Sequence, residues 1–192
     1  MILYATKQTI ERFKIQIFED IQSANKDLAK KVIEEQQNDE LLEWGIKLFY
    51  FDGRKCIQAM NFSSKFTIFL FDIRVGNVDS LPEIIAHYLM DLYSDDRQMQ
   101  KALRKLFAEY PLCVFSKLNN KSIISSLNHN QSYYAWDGEL FYDYMENGIL
   151  KTMKINKEVN WNYLVTQTVN EKKNYIYPAE RFREIILERY KD

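Results

Sequence analysis

Glycine and proline are scarce, with 5 and 3 copies among 192 residues, which excludes long flexible linkers. Cysteine is scarcer still. Cys56 and Cys113 are the only two, they form no CxxC pair and neither has a histidine nearby in sequence. A disulfide framework and a zinc site are therefore excluded, and reduced thiols in a cytoplasm are expected. Charge of one sign is also missing: 26 basic side chains face 27 acidic ones, for a net charge of −1. A dedicated nucleic-acid binder carries a basic excess, because neutralising phosphates supplies most of its non-specific affinity. Here only a local basic patch is compatible with the composition. No stretch approaches the roughly 18 apolar residues that a membrane helix needs. The segment Met1–Lys7 lacks a basic start and a long apolar core, so it reads as a first strand and not as a secretion signal. GxGxxG, P-loop, GxSxG and HExxH patterns are absent, and no cofactor or metal is expected.

Aromatic side chains are what the chain has in excess, at 15%. Tyrosine buries a large ring and keeps a polar tip, so this excess suits a bulky core or an adhesive surface. Asn, Lys, Ile and Tyr are all frequent, and the codon bias of an AT-rich bacterial or phage genome accounts for the same numbers.

The patterning predicts one α+β domain over residues 1–192, an antiparallel β-meander packed against several α-helices. Ile10 and Phe13 mark a short helix from Lys7. A solvated helix follows over Ser23–Gln37, with Leu28, Val32 and Ile33 as a thin apolar stripe. Trp44–Phe51 and Arg54–Phe62 are strand-like runs joined by Asp52-Gly53, a pair suited to the positive φ angles of a type I′ turn. With that turn, Phe51 faces Arg54, Leu48 faces Ile57, Ile46 faces Ala59 and Trp44 faces Asn61. One face then carries Trp44, Ile46, Leu48, Ile57, Ala59 and Asn61. The other carries Phe49, Cys56 and Met60 with Lys47 and Gln58, a half-covered pattern. A third strand is expected over Lys65–Asp72.

Ser80-Leu81-Pro82-Glu83 reads as a capping box opening a helix with Ile84, Ile85, Tyr88, Leu89 and Leu92 inward. Ser94-Asp95-Asp96 opens another, with Met99, Leu103, Leu106 and Phe107 inward, before Pro111 stops it. Leu112–Lys117 is a short strand. Ser122 opens a helical stretch through Trp136, Leu140, Phe141, Tyr144 and Met145, with a break expected at Gly138 and an end at Asn147-Gly148. Residues 156–170 fit helix and strand equally. Pro178 begins a last helix with Phe182, Ile185 and Ile186 inward.

Four segments, in this order, carry a resemblance: Ala5-Thr6-Lys7, the hairpin from Arg54-Lys55-Cys56-Ile57 to Asn61, Ser122–Asn128, and Tyr175-Ile176-Tyr177-Pro178. Together they are similar to a family of short bacterial proteins classified as a domain of unknown function. The longer charged helix near residues 20–40 departs from that family. The resemblance implies no reaction, cofactor or partner. Its members resemble proteins of variable bacterial gene neighbourhoods, which implies a role near mobile elements or phage conflict.

Polar residues that stand out are Lys7, Arg54, Asn61, Ser126, Asn128 and His129. Asn61 falls on the apolar face, where an unpaired amide costs about 1–3 kcal/mol, so it needs a partner. Asn128 or Ser126 would supply one, as a binding site or as a structural clasp. His129 ends a polar helical turn, where imidazole serves as a general base or simply satisfies backbone groups. His87 lies beside its helix's apolar stripe, as a surface residue would. Arg54, Lys55 and Arg74 suit a basic edge or ordinary edge protection. The adjacent acidic pairs Glu34-Glu35 and Asp95-Asp96 point about 100° apart on a helix and make poor shared ligands. Two functions fit. One is a non-catalytic interaction or regulatory module with another protein as its partner. The other is a small RNA-directed enzyme, a nuclease-type toxin, built on Lys7, Arg54 or His129. The hairpin register makes Leu48 a core residue, so Leu48→Ala should lower unfolding free energy in urea by about 2–5 kcal/mol.

Overall fold

The computed structural model describes residues 1–22, 25–136, 139–169 and 172–191. The strands are β1 Ile2–Ala5, β2 Glu43–Phe51, β3 Arg54–Asn61, β4 Thr67–Leu70, β5 Val114–Lys117, β6 Met145–Glu146, β7 Ile149–Leu150, β8 Val165–Val169 and β9 Lys172–Ile176. The α-helices are α1 Lys7–Phe13, α2 Asn25–Gln36, α3 Leu81–Leu92, α4 Arg97–Glu109, α5 Lys121–Gln131, α6 Glu139–Tyr142, α7 Thr152–Trp161 and α8 Pro178–Arg189. The fold is α+β, centred on a sheet in the order β4-β3-β2-β1-β5, with β6-β7 and β8-β9 as separate hairpins.

The meander follows from its turn. Asp52 and Gly53 take φ of 49° and 69°, the left-handed pair that matches the twist of the flanking strands. Phe51 then pairs with Arg54, Leu48 with Ile57, Ile46 with Ala59 and Trp44 with Asn61. β1 adds something that local patterning does not carry: it runs parallel to both β2 and β5.

Helices cover both faces. On one, Trp44, Ile46, Leu48, Ile57 and Ala59 join Phe13 of α1 and the apolar stripes of α3, α4 and α8. On the other, Phe49, Cys56 and Phe69 meet Tyr134, Phe141, Ile155 and Val159, while Met60 and Phe62 meet Ile123 and Leu127 of α5. This second face is more fully covered than its mixed composition implies, and Gln58 is entirely buried there. α5 rests directly on β2 at Gly45, where a Cβ would come within 2.6 Å of Ile123 Cγ2. The two thiols are free, and they belong to different cores, Cys56 to the second and Cys113 to the rim of the first.

Several local expectations change in the fold. Ser80 makes no capping bond, because a 3₁₀ turn over Val75–Ser80 runs straight into α3. The buried stripe of α2 is Ala29, Val32 and Gln36, and Leu28 is exposed. Asn120, not Ser122, caps α5 by accepting from the Ile123 amide. Past α5 the chain widens into a π-helical turn over Ser132–Trp136. Asn147-Gly148, with φ of 52° and 76°, turns the hairpin β6-β7 instead of ending a helix. Of the stretch 156–170, residues 156–161 end α7 and residues 165–169 form β8, while residue 170 lies outside the described residues. The expected helix start at Ser23 and the break at Gly138 fall outside the described residues.

β4 ends the sheet, and α7 closes its open edge with two amides one turn apart. Asn160 Oδ1 accepts from the Thr67 N–H at 2.8 Å and its Nδ2 donates to the Thr67 carbonyl at 2.7 Å. Asn156 does the same for Phe69, at 2.7 and 3.1 Å. A primary amide carries the same donor and acceptor as a peptide unit, so the pair stands in for a sixth strand and blocks edge pairing. Asn160→Ala should cost about 1–3 kcal/mol for each Thr67 backbone group left unpaired, read from urea unfolding, with light scattering rising as the edge is uncovered.

Candidate functional site

Asn61 ends β3 and is fully buried. Its Nδ2 reaches the carbonyls of Glu40, Leu41 and Glu43 at 3.3, 2.9 and 3.3 Å. Its Oδ1 accepts from Ser63 Oγ, Ser64 N and Ser64 Oγ at 2.7, 3.2 and 2.9 Å. One side chain thus ties the approach to β2 to the turn between β3 and β4. Main-chain bonds complete that turn, Asn61 N to Phe66 O and Lys65 N to Asn61 O. The expected partners, Ser126 and Asn128, are elsewhere: Ser126 Oγ donates to Ser122 O and Asn128 Oδ1 accepts from Lys47 Nζ. Asn61 is a clasp, but a local one. It needs short-range loop carbonyls because β3 ends there and the neighbouring strands no longer supply a ladder.

The turn that Asn61 holds presents Lys65. This residue adopts a left-handed φ of 61° and is only 9% exposed. Burial holds its ammonium below the usual lysine pKa, and the Glu40 carboxylate partly offsets that. Lys65 lines a cleft of about 440 Å³ between α5 with its π-helical extension, the end of α7 and the start of β8. Ser125, Ser126, His129, Asn130 and Tyr133 come into the wall from one face of the α5 segment, at the helical spacing that places them together. Tyr163, Leu164 and Thr166 form the opposite wall.

The rings of Tyr133, Tyr134 and Tyr163 pack edge to face, with centroids 4.9–5.6 Å apart. Burial, and then the adjacent Tyr133 hydroxyl, push the Tyr163 phenol up to about 12. Burial likewise raises Tyr134, whose hydroxyl is enclosed without a partner among the described residues. At neutral pH these phenols are therefore donors, not bases. Among the described residues, no carboxylate lines the cleft.

Of the residues singled out in the sequence, the cleft contains Ser126 and His129. Asn128 shares their helix but is turned about one-quarter of the way round it. Lys7 is 82% exposed and pairs with Glu11 at 3.9 Å. Arg54 sits at the hairpin tip and pairs with Asp72 at 3.2 Å, so it is not a free basic edge. His87 is on the surface beside Asp91. Lys65, Asn130, Tyr133 and Tyr163 were not singled out. The i, i+3, i+4, i+7, i+8 spacing of Ser122, Ser125, Ser126, His129 and Asn130 is the one signal in the sequence that points to the cleft. Among the described residues, no group of three or more His, Cys, Asp or Glu could hold a metal ion.

A family described as a domain of unknown function, DUF6933, matches residues 2–181, nearly the whole chain, and the chain belongs to it. No curated protein matches the chain. The clasp predicts unequal effects of two substitutions in urea unfolding. Asn61→Ala, which strands several buried groups, should cost about 3 kcal/mol or more, whereas Lys7→Ala should stay within about 0.5 kcal/mol of wild type.

Proposed function

We propose that this member of the DUF6933 family is a non-catalytic protein-interaction module of the cytoplasm, regulatory in role, whose recognition surface is the tyrosine-lined cleft. The observation that carries the proposal is the character of the rim. Tyr133 and Leu164 are exposed beside the cavity. Tyr175, 74% exposed, pairs across the hairpin with the lining residue Thr166 and so stands on the same face. Exposed tyrosines around a concave, partly apolar site are what protein interfaces use as anchors, because each ring offers a large contact area with few rotors to freeze. The raised phenols favour binding over proton transfer, since a general base works best near the operating pH. The free thiols support a cytoplasmic location, and no described helix is long and apolar enough to cross a membrane. The resemblance to proteins of variable bacterial gene neighbourhoods supports a regulatory role near mobile elements or phage conflict.

A second reading, a small RNA-directed enzyme, draws on His129 standing in the same cleft as Lys65 and Ser126. It lacks the support of Lys7 and Arg54, neither of which lines that cleft. Affinity purification of the tagged chain from its native host, wild type beside Tyr133→Ala/Tyr163→Ala, distinguishes the two. The interaction reading expects a stoichiometric protein that the double variant loses. Co-purifying RNA, cleaved by the wild type and not by His129→Ala, would replace it with the enzyme reading.

A further inference from the structure

We infer that the cleft takes a carboxylate-bearing peptide segment of the partner, with the carboxylate on Lys65 and an adjacent apolar side chain against the tyrosine rim. The inference rests on the interaction reading above and names the chemistry of its partner.

Three observations converge on it. Lys65 is nine-tenths buried and lines the cavity, yet its ammonium makes no hydrogen bond or ion pair with the described residues. Its nearest acidic influence is Glu40, which does not close to ion-pair distance. A buried ammonium without a counter-charge is costly, and an incoming anion relieves that cost. Second, the polar lining includes donors at neutral pH, the Ser125 hydroxyl and the Tyr163 phenol held protonated, while the Ser126 hydroxyl gives its proton to the Ser122 carbonyl. With no carboxylate among the described lining residues, nothing repels an anion.

Third, the charge balance selects the anion. Among the described lining residues, Lys65 is the only Lys, Arg, Asp or Glu, which matches a singly charged carboxylate. A nucleic acid or a polyphosphate brings several charges and binds through several cations, which the described lining residues do not supply. The volume of about 440 Å³ falls at the small end of ligand pockets, room for one acidic side chain and a neighbour rather than for a folded surface. Tyr133 and Leu164, exposed in its lining, with Tyr175 on the hairpin face of Thr166, then provide the apolar contact that a lone carboxylate would not.

The test is selection of random heptapeptides displayed on phage against the immobilised full chain, followed by calorimetry with synthetic copies of the enriched peptides. Enrichment of Asp or Glu next to an aromatic or aliphatic residue is expected. Lys65→Met should weaken those peptides about ten- to a hundredfold, the range for a lost charge-assisted hydrogen bond. Lys65→Arg should keep most of the affinity, and raising salt should weaken only the wild type and the Arg variant. Enriched peptides without an acidic residue, or affinity indifferent to Lys65→Met, would overturn the carboxylate assignment while leaving the cleft as a protein-binding surface. Failure to enrich any peptide, together with tight binding of an oligoribonucleotide that Lys65→Met abolishes, would overturn both.

Discussion

The turn between β3 and β4 depends on one buried amide. Asn61 sits where the β2-β3 ladder ends, and its contacts with Glu40, Leu41, Glu43, Ser63 and Ser64 replace the ladder with side-chain bonds. An amide suits this position because it donates from one end and accepts at the other. An aspartate would oppose three carbonyls and a leucine would leave them bare. Two consequences follow from the clasp. It sets the start of β4, and therefore the register in which Asn156 and Asn160 meet that strand. It also fixes the left-handed Lys65 at the wall of the cleft.

α7 links the two halves of the molecule in a similar way. Ile155 and Val159 enter the second core and Met153 and Trp161 the first, while Asn156 and Asn160 face the strand edge between them. A helix that contributes to both cores must lie along the sheet's rim, and its end then forms part of the cleft through Val159 and Tyr163. α5 brings serines and a histidine on the face turned away from Gly45, and the segment after α7 brings tyrosine and leucine.

The hairpin was legible because its information is local. Asp52-Gly53 sets the turn, the alternation sets the faces, and each confirms the other. Asn61 was legible only in part. Its burial and its need for partners follow from the register, whereas the identity of those partners depends on how the chain enters β2 from Asp39–Leu42. Asn147-Gly148 shows the limit of a dipeptide signal, since the left-handed pair that can end a helix also makes a hairpin turn. At Ser80 the capping pattern is present, but the preceding 3₁₀ turn leaves the residue at φ −90° and ψ 6°, outside the extended conformation that a capping side chain requires.

The sequence by itself determined the meander, its register, most helix positions and the free thiols, because turn chemistry, periodicity and cysteine spacing act over a few residues. Only the tertiary structure decided that β1 lies between β2 and β5, that two asparagines of α7 close the β4 edge, and that Lys65 joins Ser126, His129 and Tyr163 around one cleft. A parallel strand of four residues carries too little pattern to name its neighbours. The cleft's walls come from segments far apart in the chain, and what brings them together is burial of the apolar faces on which they ride.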